Sequence, residues 1–215
     1  MKIFLDTGDA EAIRKACETD LIDGVTTNPS HIAKTQRKFT DVVEEICSIL
    51  PGPVSVEAVS DTAEGLVEEA VRLAAIAPNV VVKIPMTIDG LKAVPILEEQ
   101  KKVMTNVTMI FSSTQSFLAM KAGASFVSIV LSRLDAVANE SEILVEDAII
   151  IRNNYGFDSE IIAGSLKTQN HLLACLRSGV DIATMNPGLF FQMYKHPLTT
   201  EGLAQFAKDW EKVPK

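Results

Sequence analysis

The run NVVVKIPMT, residues 79–87, places Lys83 among valines and an isoleucine and closes with Pro85. A lysine in such a run is costly unless it is partnered or used. Desolvation disfavours the ammonium form and leaves some neutral amine, a nucleophile able to attack a ketone carbonyl. The resulting Schiff base is an electron sink. It permits the neighbouring carbon–carbon bond to break, with the electrons held as an enamine until an aldehyde accepts them.

Making and hydrolysing an imine requires proton shuttling, and two carboxylates occupy settings like that of Lys83. Asp6 ends the apolar stretch KIFLDT, and Glu57 falls within VSVEAV. Asp6 suits removal of a proton from the substrate hydroxyl whose carbon becomes the aldehyde. Glu57 suits general acid/base work through a water held by Thr108. Arg133, Ser165 and Lys167 offer cations and a hydroxyl for a phosphate at the far end of a sugar. Asn28, Asn106 and Ser128 offer hydrogen bonds to sugar hydroxyls and to the carbinolamine.

These residues fall at regular places in a repeating rhythm of β-branched run, turn and amphipathic stretch, the mark of α/β alternation. The expected strands are residues 2–7, 24–28, 54–59, 80–85, 106–111, 126–133, 160–166 and 181–187. Helical patterns such as TAEGLVEEAVRLAAIA and TQNHLLACLRSG lie between them. Eight strand–helix units predict a single (β/α)₈ barrel over residues 1–215, in which reacting groups gather at the C-terminal strand ends. A doubly wound sheet is the alternative, but the glycine-rich first turn of a nucleotide binder is missing. An additional C-terminal helix is expected at about 199–212, and its Phe206 and Trp210, four apart, need a packing partner such as a neighbouring subunit.

Composition narrows the partners. With 215 residues, 47% hydrophobic and 22% charged, the chain suits one domain with a substantial core. A net charge of -8 argues against nucleic acid or an anionic membrane, while allowing a small cationic pocket. Cys17, Cys47 and Cys175 lack paired spacing, His31, His171 and His196 lack metal-ligand spacing, and no signal-peptide or membrane-spanning pattern is present. Reduced thiols, histidines at surfaces or helix termini, and a cytoplasmic location are the expectations. KTQRK (34–38) and EEQKK (98–102) read as solvated helix segments.

The sequence resembles the short, bacterial-type transaldolases and the related fructose-6-phosphate aldolases. The resemblance lies in FLDT, GVTTNPS, VSVEAV, VVKIPMT with DGL following, NVTMIFS, QSFLAMKAGASFVS and HPLTTEGLAQFAKDW. It implies a (β/α)₈ barrel without metal or organic cofactor, sugar phosphate substrates, and a pentameric or decameric homo-oligomer. It also implies Lys83 as the Schiff-base lysine, Asp6 and Glu57 as the acid/base pair and Thr108 as holder of the catalytic water. Asn28, Asn106 and Ser128 match substrate-binding positions; Arg133, Ser165 and Lys167 match the phosphate site.

The resemblance further separates two reactions. Transaldolases carry Glu at position 57, as here, where the aldolases carry Gln; the aldolases place a tyrosine where this chain has Val130. Transfer of a dihydroxyacetone unit from fructose 6-phosphate to erythrose 4-phosphate, a step of the non-oxidative pentose phosphate pathway, is therefore the expected activity. Free aldol cleavage is the alternative, and a non-catalytic barrel is the remote one. The sixth strand departs from the family, reading SIVLSR where Ser-Pro-Phe-Val-Gly-Arg is usual, and Lys167 stands where arginine is common.

Overall fold

The computed structural model describes residues 1–138 and 140–214. Eight parallel strands close into a barrel in chain order: β1 (Lys2–Asp6), β2 (Gly24–Thr26), β3 (Val54–Glu57), β4 (Val80–Pro85), β5 (Thr105–Ile110), β6 (Phe126–Val130), β7 (Glu160–Leu166) and β8 (Ile182–Met185). Strand β8 pairs with β1, so no edge is left open. The surrounding helices are α1 (Ala10–Cys17), α2 (Pro29–Lys34), α3 (Phe39–Ile49), α4 (Ala63–Ala74), α5 (Ile88–Pro95), α6 (Ser113–Lys121), α7 (Leu131–Asp135), α8 (Ser141–Tyr155), α9 (Gln169–Ser178), α10 (Pro187–Gln192) and α11 (Pro197–Trp210). Among the described residues, no helix is long and apolar enough to cross a membrane.

Alternation along the strands divides the hydrophobic residues into two sets. One set, including Leu5, Val56, Val82, Ile129 and Ala163, packs with the helices in the main core. The other is a separate cluster of Phe4, Val81, Phe126, Ile162 and Ile182, drawn from five different strands. Its members alternate with Asp6, Lys83, Ser128 and Thr184 along their strands and form an apolar plug below them. The Phe4 ring fits because residue 24 is glycine: a Cβ there would stand 2.6 Å from the ring.

Three local expectations are corrected. The sixth strand stops at Val130, and Arg133 lies on α7 instead; Leu131 and Leu134, three apart and both buried, follow a helical period that a short apolar run conceals. Asn28 is outside β2 and caps α2, as an Asn before a Pro at the first helical position readily does. Glu98 is no solvated helix residue. It lies in a π-helical turn, Ile96–Lys101, and its Oε1 accepts from the backbone N–H and hydroxyl of both Thr105 and Ser125, tying that turn to the approaches of β5 and β6.

The C-terminal helix begins at Pro197, two residues before the expected start, and buries none of its residues. Leu198, Leu203, Phe206 and Trp210 are exposed, so the partner expected for Phe206 and Trp210 is not supplied by the barrel it follows. All three cysteines are free thiols.

Phe4→Ala opens a cavity in the plug and is expected to cost about 3–5 kcal/mol in urea unfolding, with the barrel's circular dichroism retained. A loss below about 1 kcal/mol would show that the plug contributes little to stability.

Candidate active site

Lys83 sits in the layer directly above the plug, and its neighbours follow from strand register. Glu57 of β3 pairs with Lys83 of β4, which pairs with Asn106 of β5. Only 8% of Lys83 is exposed, and its Nζ donates to the Thr27 carbonyl at 2.8 Å. Burial lowers its pKa from the ordinary 10.5, and the charges of Glu57 and Asp6 oppose that shift without reversing it. The plug keeps water away from beneath.

Above Lys83 lies a cavity of about 330 Å³ that gathers eight of the ten residues expected from sequence: Asp6, Asn28, Glu57, Lys83, Thr108, Ser128, Arg133 and Ser165. The other two are placed differently. Asn106 is fully buried and does not line the cavity. Its Nδ2 donates to Ser55 Oγ at 3.1 Å, and its Oδ1 accepts from Ser128 Oγ at 2.7 Å. It therefore orients Ser128, whose hydroxyl hydrogen is spent on Asn106 and whose oxygen remains an acceptor. Lys167 follows β7 on the exposed rim, outside the cavity wall. Its backbone N–H donates to His171 Nδ1, while His171 Nε2 lies 3.2 Å from Asp135 Oδ2, linking this rim to α7 and Arg133.

Several participants carry no sequence signal. Thr26 Oγ1 lies 3.0 Å from Asp6 Oδ1 and 2.7 Å from Thr184 Oγ1. A carboxylate only accepts, so Thr26 donates to Asp6 and accepts from Thr184, a relay assembled from three strands. Lys34, expected on a solvated face, lines the cavity, as does His31. Met109 and Ser165 both adopt left-handed backbone, with φ of +63° and +60°, where β5 slips register against β6 and β7 against β8. Such positions cost roughly 1–3 kcal/mol each and concentrate at functional sites. Both residues line the cavity; Ser165 Oγ meets Ser132 Oγ at 2.6 Å, and Arg133 Nη1 contacts Met109 Sδ at 3.7 Å. No carboxylate among the described residues pairs with Arg133, so its guanidinium is free for an anion. Among the described residues, no group of three or more His, Cys, Asp or Glu is placed to hold a metal ion.

Residues 3–215 match the family model described as Transaldolase/Fructose-6-phosphate aldolase. The chain belongs to that family. A relative from Aquifex aeolicus (strain VF5), named "Probable transaldolase", is 52% identical over 214 residues, covering 100% of this chain and 98% of its own. One of the same name from Dictyoglomus turgidum (strain DSM 6724 / Z-1310) is 48% identical over 215 residues and covers both chains fully. The orotidine 5'-monophosphate decarboxylase of Methanocaldococcus jannaschii shares the fold, with a TM-score of 0.59 at 15% identity over 86% of this chain and 87% of that one.

The burial of Lys83 makes a test possible without substrate. Because its folded pKa lies below the unfolded value, the wild type gains stability relative to Lys83→Met as pH rises from the folded value towards 10.5, where the unfolded chain still holds the proton. At neutral pH, Lys83→Met is expected to unfold at the same or a higher urea concentration than wild type, with its advantage narrowing on alkaline titration. A loss of more than about 3 kcal/mol at neutral pH would mark Lys83 as a structural cation.

Proposed function

We infer that this protein is a transaldolase that moves a dihydroxyacetone unit from fructose 6-phosphate to an aldose phosphate such as erythrose 4-phosphate, through a Schiff base on Lys83. The observation that carries the reading is a buried amine of lowered pKa between two carboxylates, at the base of a cavity whose upper wall holds Lys34 and Arg133. Membership of the family and the names of its relatives support the reaction class.

In this reading the phosphate of the donor sugar is held by Arg133, Ser165 and Lys34, with Lys167 contributing charge from the rim. That clamp places the C2 ketone over Lys83. The neutral amine adds to the carbonyl, and Glu57, acting through water beside Thr108, protonates the departing hydroxyl so that water leaves and the iminium forms. Asp6 takes the proton of the C4 hydroxyl. The C3–C4 bond breaks, glyceraldehyde 3-phosphate leaves, and the bond's electrons remain on the three-carbon unit as an enamine. The acceptor aldehyde then takes that electron pair, Asp6 returns its proton to the new alkoxide, and hydrolysis frees sedoheptulose 7-phosphate and Lys83. Ser128, with its lone pairs turned to the cavity by Asn106, accepts a hydroxyl of the bound unit.

Glu57 favours transfer over free cleavage. A carboxylate in place of an amide at this position supports general acid/base steps on the imine, and Val130 supplies no hydroxyl to protonate the enamine carbon. The three-carbon intermediate therefore waits for an acceptor.

Purified protein given fructose 6-phosphate should release glyceraldehyde 3-phosphate steadily only when erythrose 4-phosphate is present, followed by a coupled dehydrogenase assay. Equal steady release without acceptor would instead make the enzyme a fructose-6-phosphate aldolase.

A further inference from the structure

His31, third residue of α2, lies where the reaction cavity meets a neighbouring cavity of about 620 Å³ and lines both. Its Nδ1 is buried and has no hydrogen-bond partner among the described residues, a costly condition for a polar ring atom. The local capping geometry favours one ring nitrogen as the bearer of the hydrogen. Asn28 Oδ1 accepts from the His31 backbone N–H at 2.9 Å, so the other end of that amide, Nδ2, is the end 3.5 Å from His31 Nε2. An amide nitrogen only donates. Nε2 is thereby the acceptor, and the hydrogen of the neutral ring belongs on Nδ1.

That Nδ1 lies 3.7 Å from Asp6 Oδ1, the same carboxylate oxygen that accepts from Thr26. The separation is too long for a full hydrogen bond and short enough for a modest side-chain rotation to close it. We propose that His31 is a positioning residue: held as the Nδ1–H tautomer by Asn28, it aims its N–H at Asp6 Oδ1. With Thr26, it fixes that oxygen and leaves Oδ2 to exchange the substrate's proton. The proposal rests on Asp6 acting as the base in the reaction inferred above, although the tautomer does not.

The groups facing His31 agree with a neutral donor. Burial is the strongest influence on its pKa and lowers it, Asp6 of β1 raises it, and Lys34 of its own helix, Lys83 of β4 and Lys167 after β7 lower it further. A neutral ring with its hydrogen on Nδ1 favours the ionised carboxylate without adding a further positive charge beside Lys83. The role does not require His31 to exchange a proton.

Two measurements on the full chain test this. In ¹⁵N NMR of the histidine rings at neutral pH, assigned with His31→Gln, His31 should show the Nδ1–H tautomer; the Nε2–H tautomer would overturn the proposal. In pH profiles of kcat/KM for transfer, His31→Leu should move the acid limb upward by about one unit, because the carboxylate loses a donor, and should lower kcat more than it changes KM. His31→Gln can still donate and should keep the limb within about 0.3 units of wild type. A His31→Leu profile superimposed on wild type, or an equal shift in both variants, would reduce His31 to packing and overturn its positioning role. If wild type transfers nothing, the functional reading fails instead, and the NMR result still decides the tautomer.

Discussion

The desolvated amine of Lys83 is the constraint on which the rest of this barrel depends. Burying an ammonium costs several kcal/mol unless charges and hydrogen bonds compensate it, and here the compensation is partial. Glu57, Asp6 and the Thr27 carbonyl stabilise the charged form, while the plug of Phe4, Val81, Phe126, Ile162 and Ile182 excludes water from below. The pKa stays lowered as a result. A fold optimised for stability alone would place an apolar side chain there, and the tension between stability and chemistry is concentrated at that position.

The surrounding architecture transmits this constraint outward. Closing eight strands places alternate residues of each in one interior, so an apolar layer and a polar layer follow from the same alternation. Hydroxyls and amides then arrange one another: Thr184 donates to Thr26 and Thr26 to Asp6, while Asn106 fixes Ser128. Register slips at Met109 and Ser165 bend the strand ends at the cavity wall, and the cations Arg133 and Lys34 complete that wall. An acidic chain thus keeps a local cationic surface where an anionic substrate would enter.

The barrel and its lysine were legible in the sequence for a physical reason. A strand buried on both faces reads as an unbroken apolar run, so β4 and β7 have the bounds expected at 80–85 and 160–166, with Lys83 standing out as the anomaly. What stayed hidden depends on contacts between distant segments. Nothing in Pro-Ser-His shows that His31 will meet Asp6 from another strand, and nothing near Lys34 distinguishes it from a solvated lysine. Left-handed backbone at Met109 and Ser165 is equally silent, because neither residue type favours it. The short helix carrying Arg133 was concealed because Leu131 continues the apolar run of Ile129 and Val130, and only the spacing of Leu134 marks the change of period.

The covalent step is tested most directly by reduction. Protein incubated with fructose 6-phosphate and sodium borohydride, digested and analysed by mass spectrometry, should carry a reduced three-carbon or six-carbon adduct on the peptide containing Lys83. The same treatment of Lys83→Met should leave every peptide unmodified. An adduct on another lysine, or none on the wild type under turnover, would contradict the account.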